Sequence, residues 1–132
     1  MNKIKKYIAK SYLEKEVSGI KHETPPKDGE EAWNRLLQGN LNYINGDVYS
    51  FVTHFAREIS YEVRKQLSNE QKPFCVVITC TDSRIAPELI FDRGLGDLIS
   101  IRLLGNVLDE MATGSAEYAI NQLGCKLIVI MR

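Results

Sequence analysis

Residues 80–84 read Cys-Thr-Asp-Ser-Arg and follow an apolar run, 74–79, that has the character of a buried strand. Thiolate is a good zinc ligand, and catalytic zinc sites present three protein ligands with one position left for water. Cys80 can supply one such ligand. Asp82, two residues on, can accept a hydrogen bond from metal-bound water or bind the metal directly. Arg84 can hold that carboxylate through a two-pronged pair and keep it ionised. A fixed acceptor beside metal-bound water favours loss of its proton near neutral pH. The metal candidates are therefore Cys80 and Asp82, and the candidate catalytic pair is Asp82 with Arg84. A plainer reading of the same five residues is a strand ending in a buried cysteine, with Asp82 or Ser83 capping a helix and Arg84 solvated.

The elements that must position this loop are legible in the spacing of apolar residues. Residues 1–28 form an N-terminal arm that runs into Thr24-Pro25-Pro26-Lys27-Asp28-Gly29, a turn-rich breaker. Ala32, Trp33, Leu36, Leu37, Leu41 and Ile44 recur at three- and four-residue steps, which predicts a helix stopped by Gly46 and Asp47. Phe51, Phe55, Ile59, Val63 and Leu67 repeat every four residues and predict a second, closed by the polar segment 68–73. Three apolar runs follow at 74–80, 98–104 and 127–131, each suited to a strand covered on both faces of a parallel sheet. Between them lie helix candidates at 87–91 and 113–123, the latter closed by Gly124. The expected architecture is α/β: an open, mainly parallel sheet with flanking helices over residues 29–132, preceded by the arm. Ligands of such sheets bind beyond the carboxyl ends of the strands, where Cys80 lies.

The 132 residues suffice for about one domain. Seventeen basic and seventeen acidic residues balance, which gives no electrostatic reason to expect nucleic acid or an acidic membrane as a partner. The lysines that lean toward the start read as a solvated arm. Lysines also separate Ile4, Ile8 and Leu13, so no signal-peptide core forms, and no apolar run is long enough to span a bilayer. An odd count of three cysteines argues for free or metal-bound thiols, and a cytoplasmic location is expected. Gly94-Leu95-Gly96 precedes a strand and lacks the third glycine of the dinucleotide fingerprint, so nucleotide binding has little support.

Several segments, in order, resemble the β-class carbonic anhydrases: RLLQGNLNYINGDV at 35–48, QKPFCVVITCTDSRIAPELIFDRGLGDLISIRLLGNVLD at 71–109, and GSAEYAINQLGCKLIVIM at 114–131. The likeness covers roughly the last hundred residues. It implies that Cys80 is the first zinc ligand, that Asp82 and Arg84 are the catalytic dyad, and that Gly105 and Asn106 border the active site. The implied reaction is zinc-dependent, reversible hydration of carbon dioxide to bicarbonate and a proton. The implied assembly is a homodimer or higher homo-oligomer, with Trp33, Phe51 and Phe55 available either for contacts between subunits or for the core of one chain.

The family completes its zinc site with a His and a second Cys in an H-x-x-C segment directly after the third strand, and here the sequence ends at Arg132. A complete zinc site is therefore not expected within these 132 residues, which leaves a noncatalytic, truncated paralogue or fragment acting through protein association as the alternative. Cys75 lies five positions before Cys80 on one strand, so the two point to opposite faces about 16 Å apart. Cys125 precedes the third strand, about 16 to 20 Å from the loop by the same rise per residue. His22 in the arm and His54 in the second helix are expected to be structural or solvated.

Overall fold

The structure, a computed structural model, describes residues 23–46 and 59–132. Helix α1, Gly29–Asn45, starts where Asp28 is held extended and its carboxylate accepts the Glu31 N–H at 2.9 Å. The Glu31 carboxylate accepts the Lys27 N–H at 3.0 Å in return. Such reciprocal caps satisfy donors at a helix start, and Glu30 and Glu31 suit the positive end of its dipole. Gly46, with φ of 64°, ends the helix in the left-handed conformation that glycine takes without steric cost.

The buried face of α1 is narrower than the apolar spacing suggests. Ala32, Leu36 and Gly39 are buried, whereas Trp33, Leu37, Leu41 and Ile44 are exposed. The apolar residues make two adjacent stripes about 100° apart around the helix, and the core takes one. Gly39 decides which: a Cβ there would stand 1.7 Å from the Phe91 carbonyl oxygen, so the helix is pressed onto the chain at this point. Asn40 and Asn42 reinforce the contact through the Ile90 carbonyl and the Asp92 carboxylate.

Helix α2, Tyr61–Leu67, begins at an extended Ser60 whose hydroxyl accepts the Val63 N–H at 3.2 Å. The four-residue spacing predicts an unbroken helix through Ile59; the extended Ser60 and its local hydrogen bond instead make this the start of α2. Phe51, His54 and Phe55 lie outside the described residues, as does His22.

Three strands form a parallel sheet in the order β2-β1-β3: β1 is Cys75–Cys80, β2 Leu98–Leu103 and β3 Leu127–Ile130. Cys75 pairs with Leu98 on one side and Leu127 on the other. Cys75 and Val77 face one way, into a layer with Ala32, Leu36, Phe74, Phe91 and Leu98. Val76 and Ile78 face the other, against Ala116, Ala119 and Cys125. The short helix α3, Pro87–Ile90, leads from β1 toward β2, and α4, Glu110–Asn121, joins β2 to β3. Asp109 caps α4 through the Ala112 N–H, and beyond it Gly124, at φ of 76°, turns the chain so that the Cys125 N–H reaches back to the Ala119 carbonyl.

Burial on both faces, expected of all three strands, holds for β1 alone. Alternate residues of β3, Ile128 and Ile130, are exposed, because the described helices cover its other face only. The order 2-1-3 places the carboxyl end of β1 beside a reversal in strand order, where open α/β sheets carry their ligands.

Candidate active site

β1 ends at Cys80, and the next four residues fold on one carboxylate. Asp82 Oδ1 accepts the Arg84 backbone N–H at 2.9 Å, and the Asp82 carbonyl accepts the Ile85 N–H at 3.0 Å. This is the local turn that aspartate favours. The same carboxylate takes the Arg84 guanidinium on two prongs, Nε to Oδ1 at 3.0 Å and Nη2 to Oδ2 at 2.7 Å. The Arg84 side chain is 87% exposed and that of Asp82 28%, so solvent screens the pair and it adds little to stability. It fixes orientation instead. The Arg84 side-chain bonds, then its backbone N–H, hold the Asp82 carboxyl well below the usual carboxylate range, and the charges of Arg84 and Arg102 act the same way. The Arg84 guanidinium is pushed upward in turn by the Asp82 hydrogen bonds and charge.

The Cys80 thiol is lowered from its ordinary value chiefly by the Gly105 backbone N–H, then by the Asp82 N–H and the Thr81 hydroxyl. Partial burial and the Asp82 charge oppose them. Strand register explains how Gly105 arrives there. Cys80 pairs with Leu103, and β2 then closes in a short 3-10 turn, Leu104–Asn106. Gly105 and Asn106 both have positive φ, 66° and 59°, residue types that tolerate the left-handed region. The Asn106 amide donates onward to the Met131 carbonyl, so one turn links Cys80 to the chain leaving β3.

The structure thus brings Cys80, Asp82, Arg84, Gly105 and Asn106 to the carboxyl end of the sheet. Arg102 joins them, and sequence reasoning missed it: Nη2 donates to the Asp82 carbonyl at 2.7 Å and Nε to the Cys80 carbonyl at 3.3 Å. Its signal was a lone cation inside the apolar run 98–104. The other two cysteines lie at the opposite end of the sheet. Burial pushes the Cys75 thiol up to about 12 and the Cys125 thiol up to about 11. Cys125 Sγ donates to the Pro73 carbonyl at 3.4 Å and Cys75 Sγ to the Val76 carbonyl at 3.4 Å, both in the core.

A zinc ion needs three or four organised protein donors. Here Cys80 offers a thiolate, and the Asp82 carboxylate beside it already has both oxygens on Arg84. Among the described residues no three His, Cys, Asp or Glu converge as a metal-holding group. These residues on their own therefore do not fit zinc. They are one thiolate ligand beside an oriented, ionised acceptor.

The carbonic anhydrase family model matches residues 75–132. Carbonic anhydrase 2 of Mycobacterium tuberculosis is 39% identical over 100 residues, 76% of this chain and 45% of that protein. The structure of the β-carbonic anhydrase CcaA superposes with a TM-score of 0.50 at 30% identity, over 73% of this chain and 42% of that one. Two tetrameric β-carbonic anhydrases from the ascomycete Sordaria macrospora share the fold, with a TM-score of 0.51 at 24% identity over 74% of this chain and 47% of theirs. The chain spans about half the length of the curated relatives it matches. The parallel sheet, the Cys-x-Asp-x-Arg loop at the end of its central strand and these matches together place the chain in the β-class carbonic anhydrase family.

Proposed function

We propose that this protein serves the family reaction, the zinc-dependent reversible hydration of carbon dioxide to bicarbonate and a proton. The observation that carries the reading is the two-pronged Arg84–Asp82 pair, two residues beyond the Cys80 thiol at the end of β1. In this reading Cys80 is one zinc ligand, and the remaining ligands are the His and Cys that the resemblance places directly after β3. Asp82 is the fixed acceptor beside the reacting water, and Arg84 keeps it ionised and aimed. Ionisation matters because a protonated carboxyl would offer a donor where an acceptor is needed.

Oligomerisation with copies of itself also belongs to the reading, and the exposed Trp33 of α1 is one available contact. A cytoplasmic location is supported by three unpaired thiols. No helix among the described residues is long and apolar enough to cross a membrane.

The test is made on the full-length protein. Cys80→Ser is expected to lower zinc content well below one per chain, and full retention of metal would reject Cys80 as a ligand. Arg84→Ala is expected to reduce hydration roughly 10- to 100-fold with the fold intact, because it frees Asp82 to reorient. Unchanged turnover would reject the pair.

A further inference from the structure

We propose that Arg102 is a positioning residue of this site, a clamp that holds the Cys80–Asp82 loop in its working geometry. This rests on the proposed function only in its consequence for turnover; the clamp itself is a matter of geometry. Arg102 projects from β2, opposite Thr79 in register, and its planar fork reaches across to two carbonyls of one loop, those of Cys80 and Asp82. Each carbonyl belongs to a rigid peptide plane. The plane between them carries the Asp82 N–H, one of the groups whose nearness lowers the Cys80 thiol. Fixing the two outer planes leaves the middle one little freedom to turn that N–H away.

The Asp82 carbonyl also accepts the Ile85 N–H, so its two lone pairs tie the loop forward to α3 and sideways to β2 at once. In the turn that closes β2, just beyond Arg102, Gly105 lowers the Cys80 thiol as well. The end of β2 is thus the second wall of the site. Lysine would substitute only in part, since a single ammonium lacks the fork that reaches two separated carbonyls in fixed geometry.

Amide hydrogen exchange on the chain reads this directly. Arg102→Ala is expected to speed exchange at the Asp82 and Ile85 amides about tenfold or more, while Val76 and Val77 in β1 keep their protection. Arg102→Lys should restore part of the protection. Unchanged exchange at both loop amides would overturn the clamp. So would an equal loss in β1, which would make Arg102 a support of the sheet.

In the full-length protein, Arg102→Ala is expected to lower kcat for hydration roughly tenfold, with KM and zinc content near wild type. Wild-type kcat in that variant would overturn the positioning role. If the unsubstituted protein hydrates no carbon dioxide, the family-reaction reading fails while the exchange measurement still decides the clamp.

Discussion

Cys80 differs from the other two cysteines because the nearby Gly105 and Asp82 N–H groups lower its thiol, whereas Cys75 and Cys125 lie in apolar layers. Thiolate is the reactive form, so a lowered pKa increases the reactive fraction at a given pH and burial decreases it. Near neutral pH a small alkylating reagent is therefore expected to modify Cys80 first, with its rate levelling off at lower pH than for free cysteine. Cys75 and Cys125, raised to about 12 and about 11, should react only on unfolding. Mass spectrometry of the modified peptides checks the order, and modification of Cys125 at a comparable rate would contradict it. The Asp82–Arg84 pair was legible in the sequence because its members lie two residues apart, and Cys80 because it ends an apolar run. Gly105 was legible only by resemblance, and Arg102 not at all. Its contacts span 20 and 22 residues and exist only once β2 has aligned with β1.

At the scale of elements, the closest fit is where α1 crosses the Phe91 carbonyl. Helix propensity alone favours Gly39→Ala by about 1 kcal/mol. The added Cβ would collide with backbone at 1.7 Å, which cannot swing aside as a side chain can. The contact is expected to win, with a net loss of about 2 kcal/mol in urea or thermal unfolding; a stabilised variant would show that α1 is not seated there. The strands themselves were readable almost to the residue, since each apolar run is bounded by polar or turn residues and the period changes at Phe74. The helices were less so. Spacing cannot say which of two apolar stripes on α1 meets the core, and it passes over Ser60, whose hydroxyl caps a helix in the middle of a continuous four-residue repeat.

For the molecule as a whole, Glu23 joins the segment before α1 to the rest, lying 3.6 Å from Arg35 on α1 and 3.2 Å from Arg93 after α3. Arg93 is 8% exposed and Glu23 45%, so the loss of this carboxylate bears mainly on a buried guanidinium. Glu23→Ala is expected to cost about 1 kcal/mol, discounted for the exposure of the glutamate. Thermal unfolding compared with Glu23→Gln, which retains an acceptor, separates lost charge from lost hydrogen bonding; no change in either variant would reject the tie. The sheet, meanwhile, gathers the ends of β1, β2 and β3 at one site, through Gly105 on Cys80, Arg102 on the loop and Asn106 on Met131. The most direct test of what that gathering accomplishes is stopped-flow hydration of carbon dioxide by the purified full-length protein, with its zinc content measured on the same sample. About one zinc per chain and chelator-sensitive hydration are expected; a folded protein with neither zinc nor hydration above background would contradict the account and leave a noncatalytic member of the family.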